Sequence, residues 1–514
     1  GALLVVLTFT AQRRRSTASD GAKPQATPRK IHSLGTKIPL IGDLLLFTRN
    51  AHRKHDFFTE MCLRFNGEPW QGHIIGMPTF VHFTDPRAIE EITTTQFDNF
   101  AKGLFQLDVV RDLLGNSIVA SDGERWYHQR KTAMKFFSAR ALRDCMQHTM
   151  KRNMKLMIAA IDKQRDANQL VDLSLLFHQF TLQTFAETGL GVEIPLIGQQ
   201  EANAFEQALD TAMPIMSRRG RLPPFVWKLE RWLGVGQEKR LAESLKTIRG
   251  WLHETIEHGL ASIRKQPHAG DETAHGQSIL ELFVKYSGDE IDGMKPEDLS
   301  DFILNFVIAA RDTSALTLSW FFYALGKHPE VVAKIRREMA QKLSPGTDFL
   351  TSDDAKRLTY LEAAIKETVR LYPGGPHTVK QVMRDTVICG DIFLRKGMMI
   401  SINAWAVARN PRVWGPDASE FKPQRWINET TGEIIQVPVY KFVSFHAGPR
   451  SCAGRKLAML NLRVVTANLL HRFAFDIDPA NDGTYVNAPT LAMKHALLAT
   501  VTPIGIIPSD RAYE

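Results

Sequence analysis

Cysteine is scarce in this chain. Cys62, Cys145, Cys389 and Cys452 are the only 4 in 514 residues, and none lie close together. That spacing excludes a disulfide framework and argues for a reducing compartment. No C-x-x-C or paired Cys/His motif occurs, which argues against zinc. Acidic excess is missing too, because 64 Lys and Arg outnumber 55 Asp and Glu, a net charge of +9. The positive charge forms no long block and matches no nucleic-acid motif, so nucleic acid is a poor partner. A basic face for an acidic electron donor is the simpler reading.

A membrane-length apolar run is absent from the start of the chain. Gly1 to Ala11 is apolar but too short to cross a bilayer, and Arg13-Arg14-Arg15 follow. Because the chain opens on Gly1, residues 1–15 read as the remnant of a membrane anchor with its cytoplasmic arginines. A signal-peptide remnant is the competing reading, and the missing thiol framework counts against it. Residues 16–34, with Ser, Thr, Pro24 and Pro28, read as a flexible lead into one domain over 35–514.

Strand signals are few. Ile74-Ile75 and Thr79 to Phe83, flanking Gly76-Met77-Pro78, predict a hairpin. Val387 to Leu394 and Met398 to Asn403, split by Lys396-Gly397, predict another. Gln266 to Pro296 reads as a polar loop between helices. Most of the rest is amphipathic helix, so the fold class is mainly α with small β-sheets. Phe225 to Leu233 mixes aromatics with bases and suits either a membrane surface or an ordinary core helix.

One helix stands out. Lys295-Pro296-Glu297-Asp298 predicts its start and His328-Pro329 its stop. Phe302 to Leu325 is apolar on nearly all sides, which suits a core helix or a membrane span. Arg311 and Asp312 at its centre disfavour the span, at about 3 kcal/mol each. A buried acid beside a hydroxyl makes Asp312 and Thr313 functional candidates. The plain alternative is Thr313 bonding back to the Ala309 carbonyl.

Phe445-His446-Ala447-Gly448-Pro449-Arg450-Ser451-Cys452-Ala453-Gly454 reads F-x-x-G-x-R-x-C-x-G. A sulfur that ligates haem iron must come close to a flat porphyrin, and small neighbours permit this. The apolar run Leu457 to Leu470 predicts a helix whose N-terminal dipole favours a thiolate. Glu367 and Arg370 form an E-x-x-R on one helix face, ended by Pro373. Phe421-Lys422-Pro423-Gln424-Arg425-Trp426 follows about fifty residues later.

Together these motifs resemble the cytochrome P-450 family, the haem-thiolate monooxygenases, over nearly the whole chain. The resemblance implies that family's fold, a single large domain enclosing haem b with Cys452 on the iron. It gives Glu367, Arg370 and Arg425 a structural triad, with Gln424 where a glutamate is usual. It puts Phe445, Gly448 and Arg450 against the haem. Trp126 and Arg130, in a W-x-x-x-R, and Lys380 are its implied propionate ligands. Ala309 to Ser314 resembles the oxygen-activating stretch, with Asp312 and Thr313 delivering protons and Ala310 replacing the usual glycine. O2 is the implied co-substrate. Electrons are expected from a separate NADPH-cytochrome P-450 reductase, with cytochrome b5 as a further donor, since no flavin or nicotinamide module follows. The implied setting is the endoplasmic reticulum membrane, the domain facing the cytosol.

Asn305 to Ala315, Gln96 to Gly103 and Pro489 to Lys494 resemble the fatty-acid and alkane ω-hydroxylases of plants and yeasts. Gly103 to Leu114, Phe302 to Thr313, Gly374 to Thr378 and Thr490 to Met493 are the expected substrate surroundings. The alternatives are a sterol or terpenoid hydroxylase, an isomerase or lyase of lipid hydroperoxides, and a non-enzymatic haem sensor.

Overall fold

A computed structural model describes residues 29–35, 41–138, 140–265, 278–286, 296–344 and 346–504. The helices that build the site are α1 Gly103–Leu114, α2 Gly123–Ser138, α3 Leu173–Phe185, α4 Ala204–Arg219, α5 Pro224–Leu233, α6 Pro296–Lys327, α7 Thr359–Leu371 and α8 Arg455–Arg472. The expected start and stop of the apolar helix are both met. Pro296 opens α6, where a missing N–H is harmless, and Pro329 begins the next helix. The expected helix after the cysteine is α8.

The apolar girth of α6 is explained by its place between two cores. Its first half buries Phe302, Leu304 and Val307 among α4 and neighbouring helices. Its second half buries Leu318, Phe321 and Phe322 in a larger core that holds α7 and α8. No helix among the described residues is long and apolar enough to cross a membrane.

The larger sheet runs β1 His32–Ser33, β2 Trp70–Gly72, β3 Phe80–Phe83, β9 Met399–Asn403, β6 His377–Val382 and β4 Phe100–Ala101 in spatial order. A second sheet joins β10 Phe473–Ile477, β11 Leu498–Pro503 and β5 Val171–Asp172, and β7 Thr386–Ile388 pairs with β8 Ile392–Leu394. The first expected hairpin exists as β2–β3, but its first strand ends at Gly72 and Ile74 makes only an isolated bridge to Gly42. The second is corrected. The turn falls at Cys389-Gly390-Asp391, where φ is +52° and +78° at the first two residues. A left-handed cysteine is an uncommon turn residue, so the sequence hides this turn. Met399–Asn403 is buried along its whole length and pairs with β3 and β6 instead of β8.

Residues 1–28, which hold the expected anchor remnant and most of the lead, lie outside the described residues. Arg29 to Leu34 belong to the globule, since Arg29 pairs with Glu68 at 2.8 Å and Asp391 at 2.9 Å. Of the expected loop from Gln266 to Pro296, residues 266–277 and 287–295 lie outside the described part, and Ile279–Tyr286 forms a helix.

Behind the cysteine loop, Glu367 is fully buried and takes five donors. Arg370 gives two, from Nε at 2.7 Å and Nη2 at 2.8 Å. Trp426 Nε1 and the Lys422 backbone N–H each donate at 2.9 Å, and Arg425 Nε at 3.3 Å. Arg370 also donates to the carbonyls of Ala408, Ala418 and Glu420. Burying a carboxylate is costly unless every lone pair is used, and here they are. Gln424 donates to Tyr360 Oη at 3.2 Å at the surface. Asp417, at 3.0 Å from Arg425, supplies the second carboxylate of the network. Its hydrogen bonds from Lys422 and then Arg425 hold its carboxyl down to about 2.

Arg370→Met should therefore destabilise the fold by about 3–5 kcal/mol, because it strands a buried charge. Gln424→Glu should change stability by less than about 0.5 kcal/mol. Chemical denaturation of the two variants separates these outcomes.

Candidate active site

The cysteine loop is two 3-10 turns, Val443–Phe445 and Gly448–Arg450, leading into α8. The Cys452 backbone N–H donates to the Phe445 carbonyl at 2.8 Å and closes the loop. Gly448 has φ +66°, and a Cβ there would collide with the Thr93 carbonyl. Gly448 therefore seats the loop on the Glu91–Thr95 turn and does not line the cavity. Gly454 is the open one, because a Cβ on it would meet only Phe137, at 4.0 Å. Cys452 is exposed to a cavity of about 700 Å³ whose wall it forms in part. Burial pushes its thiol up. The backbone N–H of Gly454, then Arg130 and Arg455, pull the other way.

One side of this cavity is strongly cationic. Trp126, Arg130, Arg450 and Lys102 all line it. Arg450 lies 4.6 Å above the Trp126 ring and donates to Asp122 at 2.7 Å. Asp122 also accepts the N–H groups of Lys102 and Gly103 at 3.0 and 3.1 Å, capping α1. Arg130 has no carboxylate partner among the described residues. Lys380 stands behind the wall and donates to the Phe100 carbonyl at 3.2 Å. Burial, then Lys102 and Arg450, hold it down to about 7, and burial with Arg450 holds Lys102 down to about 8. Lys102 and Asp122 were not singled out in the sequence. Lys102 lay within the run Gln96 to Gly103, but nothing local marks its side chain as inward.

The opposite wall is the middle of α6. Thr313 lines the cavity and donates to the Ala309 carbonyl at 2.6 Å, as the plain reading expects. The helix is regular through Ala310, with no opened turn. Asp312 does not line the cavity. It is buried behind the wall and takes Arg311 Nη1 at 2.8 Å, while Arg311 also pairs with Asp210 at 3.0 Å. Burial pushes Asp312 up to about 6 against the pull of Arg311. Gly374 packs on Thr313, with space of 3.2 Å for a Cβ.

Three expected substrate segments reach the wall, through Phe105, Val109, Phe306, Ile308, Gly375 and Thr378. The fourth reaches it only at Thr490. Leu491 is fully buried and its carbonyl accepts from Trp320 at 2.8 Å. Met213 and Met216 of α4, one helical turn apart, also line the cavity and were not anticipated. Among the described residues no cluster of His, Cys, Asp and Glu could hold a bare metal ion.

A thiol with backbone N–H groups aimed at it faces a regular helix carrying a threonine, across an apolar cavity. The sequence profile described as Cytochrome P-450 matches residues 33–501. The chain belongs to the cytochrome P-450 family. It is 31% identical to cytochrome P-450 704C1 of Pinus taeda over 91% of this chain and 93% of that one. Cytochrome P-450 86B1 of Arabidopsis thaliana is 30% identical over 84% and 78%. Alkane hydroxylase MAH1 of Arabidopsis thaliana is 29% identical over 93% and 94%. The protein is thus a monooxygenase of this family, mostly helical with small sheets.

The residues present fit a haem. Arg130, Arg450 and Lys102 leave surplus buried positive charge that two propionates would neutralise. Haem held at Cys452 supplies dioxygen activation. The chain does the rest. Gly454 and Arg455 direct N–H groups at the sulfur, and the start of α8 favours its negative charge. Trp126 and Arg450 brace the propionate side by stacking. The apolar wall excludes water from the reacting end.

Replacing Cys452 by Ser should abolish the red-shifted Soret band of the reduced carbonyl complex, as read by absorption spectroscopy. Arg130→Ala with Arg450→Ala should lower haem affinity by roughly 10- to 100-fold, measured by haem transfer to an acceptor protein.

Proposed function

We propose that the protein hydroxylates a long-chain fatty acid at or near its terminal carbon. It would use O2 and electrons from a separate NADPH-cytochrome P-450 reductase, with cytochrome b5 as a further donor. The observation that carries this reading is the cavity wall. It includes Phe105, Val109, Val110, Met213, Met216 and Phe306, apolar side chains suited to an acyl chain. The similarity to an alkane hydroxylase points the same way.

Thr313 is the residue placed to pass protons, since its hydroxyl is on the wall beside the Ala309 carbonyl. Asp312 acts through it. Its carboxyl, pushed up to about 6, exchanges protons near neutral pH, and Arg311 and Asp210 connect it to the surface.

A membrane setting, the endoplasmic reticulum with the domain facing the cytosol, is supported by α5. Phe225, Leu229, Trp232 and Leu233 recur at helical spacing and are exposed, Trp232 by 80%. Lys228 and Arg231 beside them pair with Asp108 and Asp112 of α1, which ties this apolar face to the domain. Such a face suits the headgroup boundary of a bilayer.

Thr313→Val keeps the shape and removes the hydroxyl. The variant should bind haem and palmitic acid normally, while hydroxylated product per NADPH falls by about tenfold or more and hydrogen peroxide rises. An unchanged ratio would show that the hydroxyl only serves the helix.

A further inference from the structure

We propose that Lys54 and Arg221 form a carboxylate subsite in the cavity wall that takes the acid group of the substrate. This rests on the fatty-acid reading above and deepens it. Both residues line the cavity, in a stretch otherwise built from Phe47, Phe57, Phe58, Ile74 and Met77.

The contrast with their neighbours carries the argument. Arg53, next to Lys54, is paired with Glu60. Arg218 pairs with Glu230 at 2.6 Å, and Arg219 with Asp112 at 2.8 Å and with Glu238. Asp56, the acid nearest Lys54 in sequence, is taken by Tyr485 Oη at 2.8 Å. Among the described residues Lys54 and Arg221 have no carboxylate partner. Arg53, Arg218 and Arg219, which do not line the cavity, are neutralised, while Lys54 and Arg221, which do, are left facing it.

Their contacts orient them without cancelling their charge. Lys54 Nζ lies 3.1 Å from His377 Nδ1, and His377 Nε2 lies 2.7 Å from Ser401 Oγ. Burial keeps His377 well below its usual range, so the ring is neutral and accepts from Lys54. Among the described residues Arg221 donates only through Nε, to the Ser217 carbonyl at 3.3 Å. Its terminal nitrogens remain for a ligand.

Arg221 also acts on Lys54. Burial, then Arg221, pulls Lys54 down to about 7. A bound carboxylate offsets that repulsion, with the arginine fork matching its two oxygens. A single negative charge is what this pair lacks, and a fatty acid offers one at the end of an apolar tail. The subsite uses different cations from the propionate side. Lys54 holds to His377 and has Arg221 as its charged neighbour, while Lys102 has Arg450 and Asp122, with His377 lying near both lysines. With the head held there, the tail is the end free to reach Cys452.

The test uses the haem-loaded enzyme and three probes of equal chain length, palmitic acid, methyl palmitate and hexadecane. Binding is read from the Soret shift and conversion from hydroxylated product. The wild type should bind the acid roughly 10- to 100-fold more tightly than the ester. In Lys54→Met with Arg221→Met that ratio should fall towards one, and Lys54→Arg should retain it. A double variant without its reduced carbonyl Soret band is replaced by the two single variants, each expected to lower the ratio. An unchanged ratio in the variants, or no preference for the acid in the wild type, overturns the subsite alone. Failure of all three probes to bind or react overturns the long-chain reading itself.

Discussion

Five donors on one buried carboxylate hold the proximal half of this molecule together. Glu367 gathers Arg370 from its own helix and Lys422, Arg425 and Trp426 from the segment leading to the cysteine loop. A charge with no access to water has to be fully bonded or it unfolds the region around it. The bonds therefore set where α7 and the 411–426 segment meet, and through them where Cys452 is presented. The arginine carbonyl contacts extend the same constraint to Ala408 and Ala418.

The cavity follows the opposite rule. Arg370 and Arg425 are matched by Glu367 and Asp417, whereas along the cavity wall positive charge is left over. Arg130, Arg450 and Lys102 outnumber Asp122 on one side, and among the described residues Lys54 and Arg221 stand without an acid elsewhere. Like charges kept near one another in a low-dielectric wall cost stability. Such an arrangement makes sense where ligands with carboxylates complete it. The two propionates of haem fit the first group, and a substrate acid fits the second. Asp312 is a third case, an acid withheld from the cavity by Arg311 but kept close to neutral-pH titration by burial.

Much of the site was legible because it is local. The loop from Phe445 to Gly454, the i to i+3 pair Glu367–Arg370, the bounds of α6 and the back-bond of Thr313 all depend on neighbours in sequence. Contacts made at long range were not legible. Gly448 is needed because the Thr93 carbonyl lies against it, Lys380 because Phe100 does, and neither neighbour is nearby in the chain. The Cys389 turn was hidden because its residue type gives no sign of a left-handed backbone.

By itself the sequence determined the family and the mainly helical class, since motifs within a loop or a helix carry the resemblance and their spacing is a property of the chain. Only the tertiary structure decided which charges are neutralised. Arg53 and Lys54 are adjacent, as are Arg218 and Arg219 with Arg221 close by, and nothing in their order tells paired from unpaired. That distinction arises when helices far apart in sequence come together, because an ion pair needs its partner within a few ångströms and a cavity needs walls from many segments.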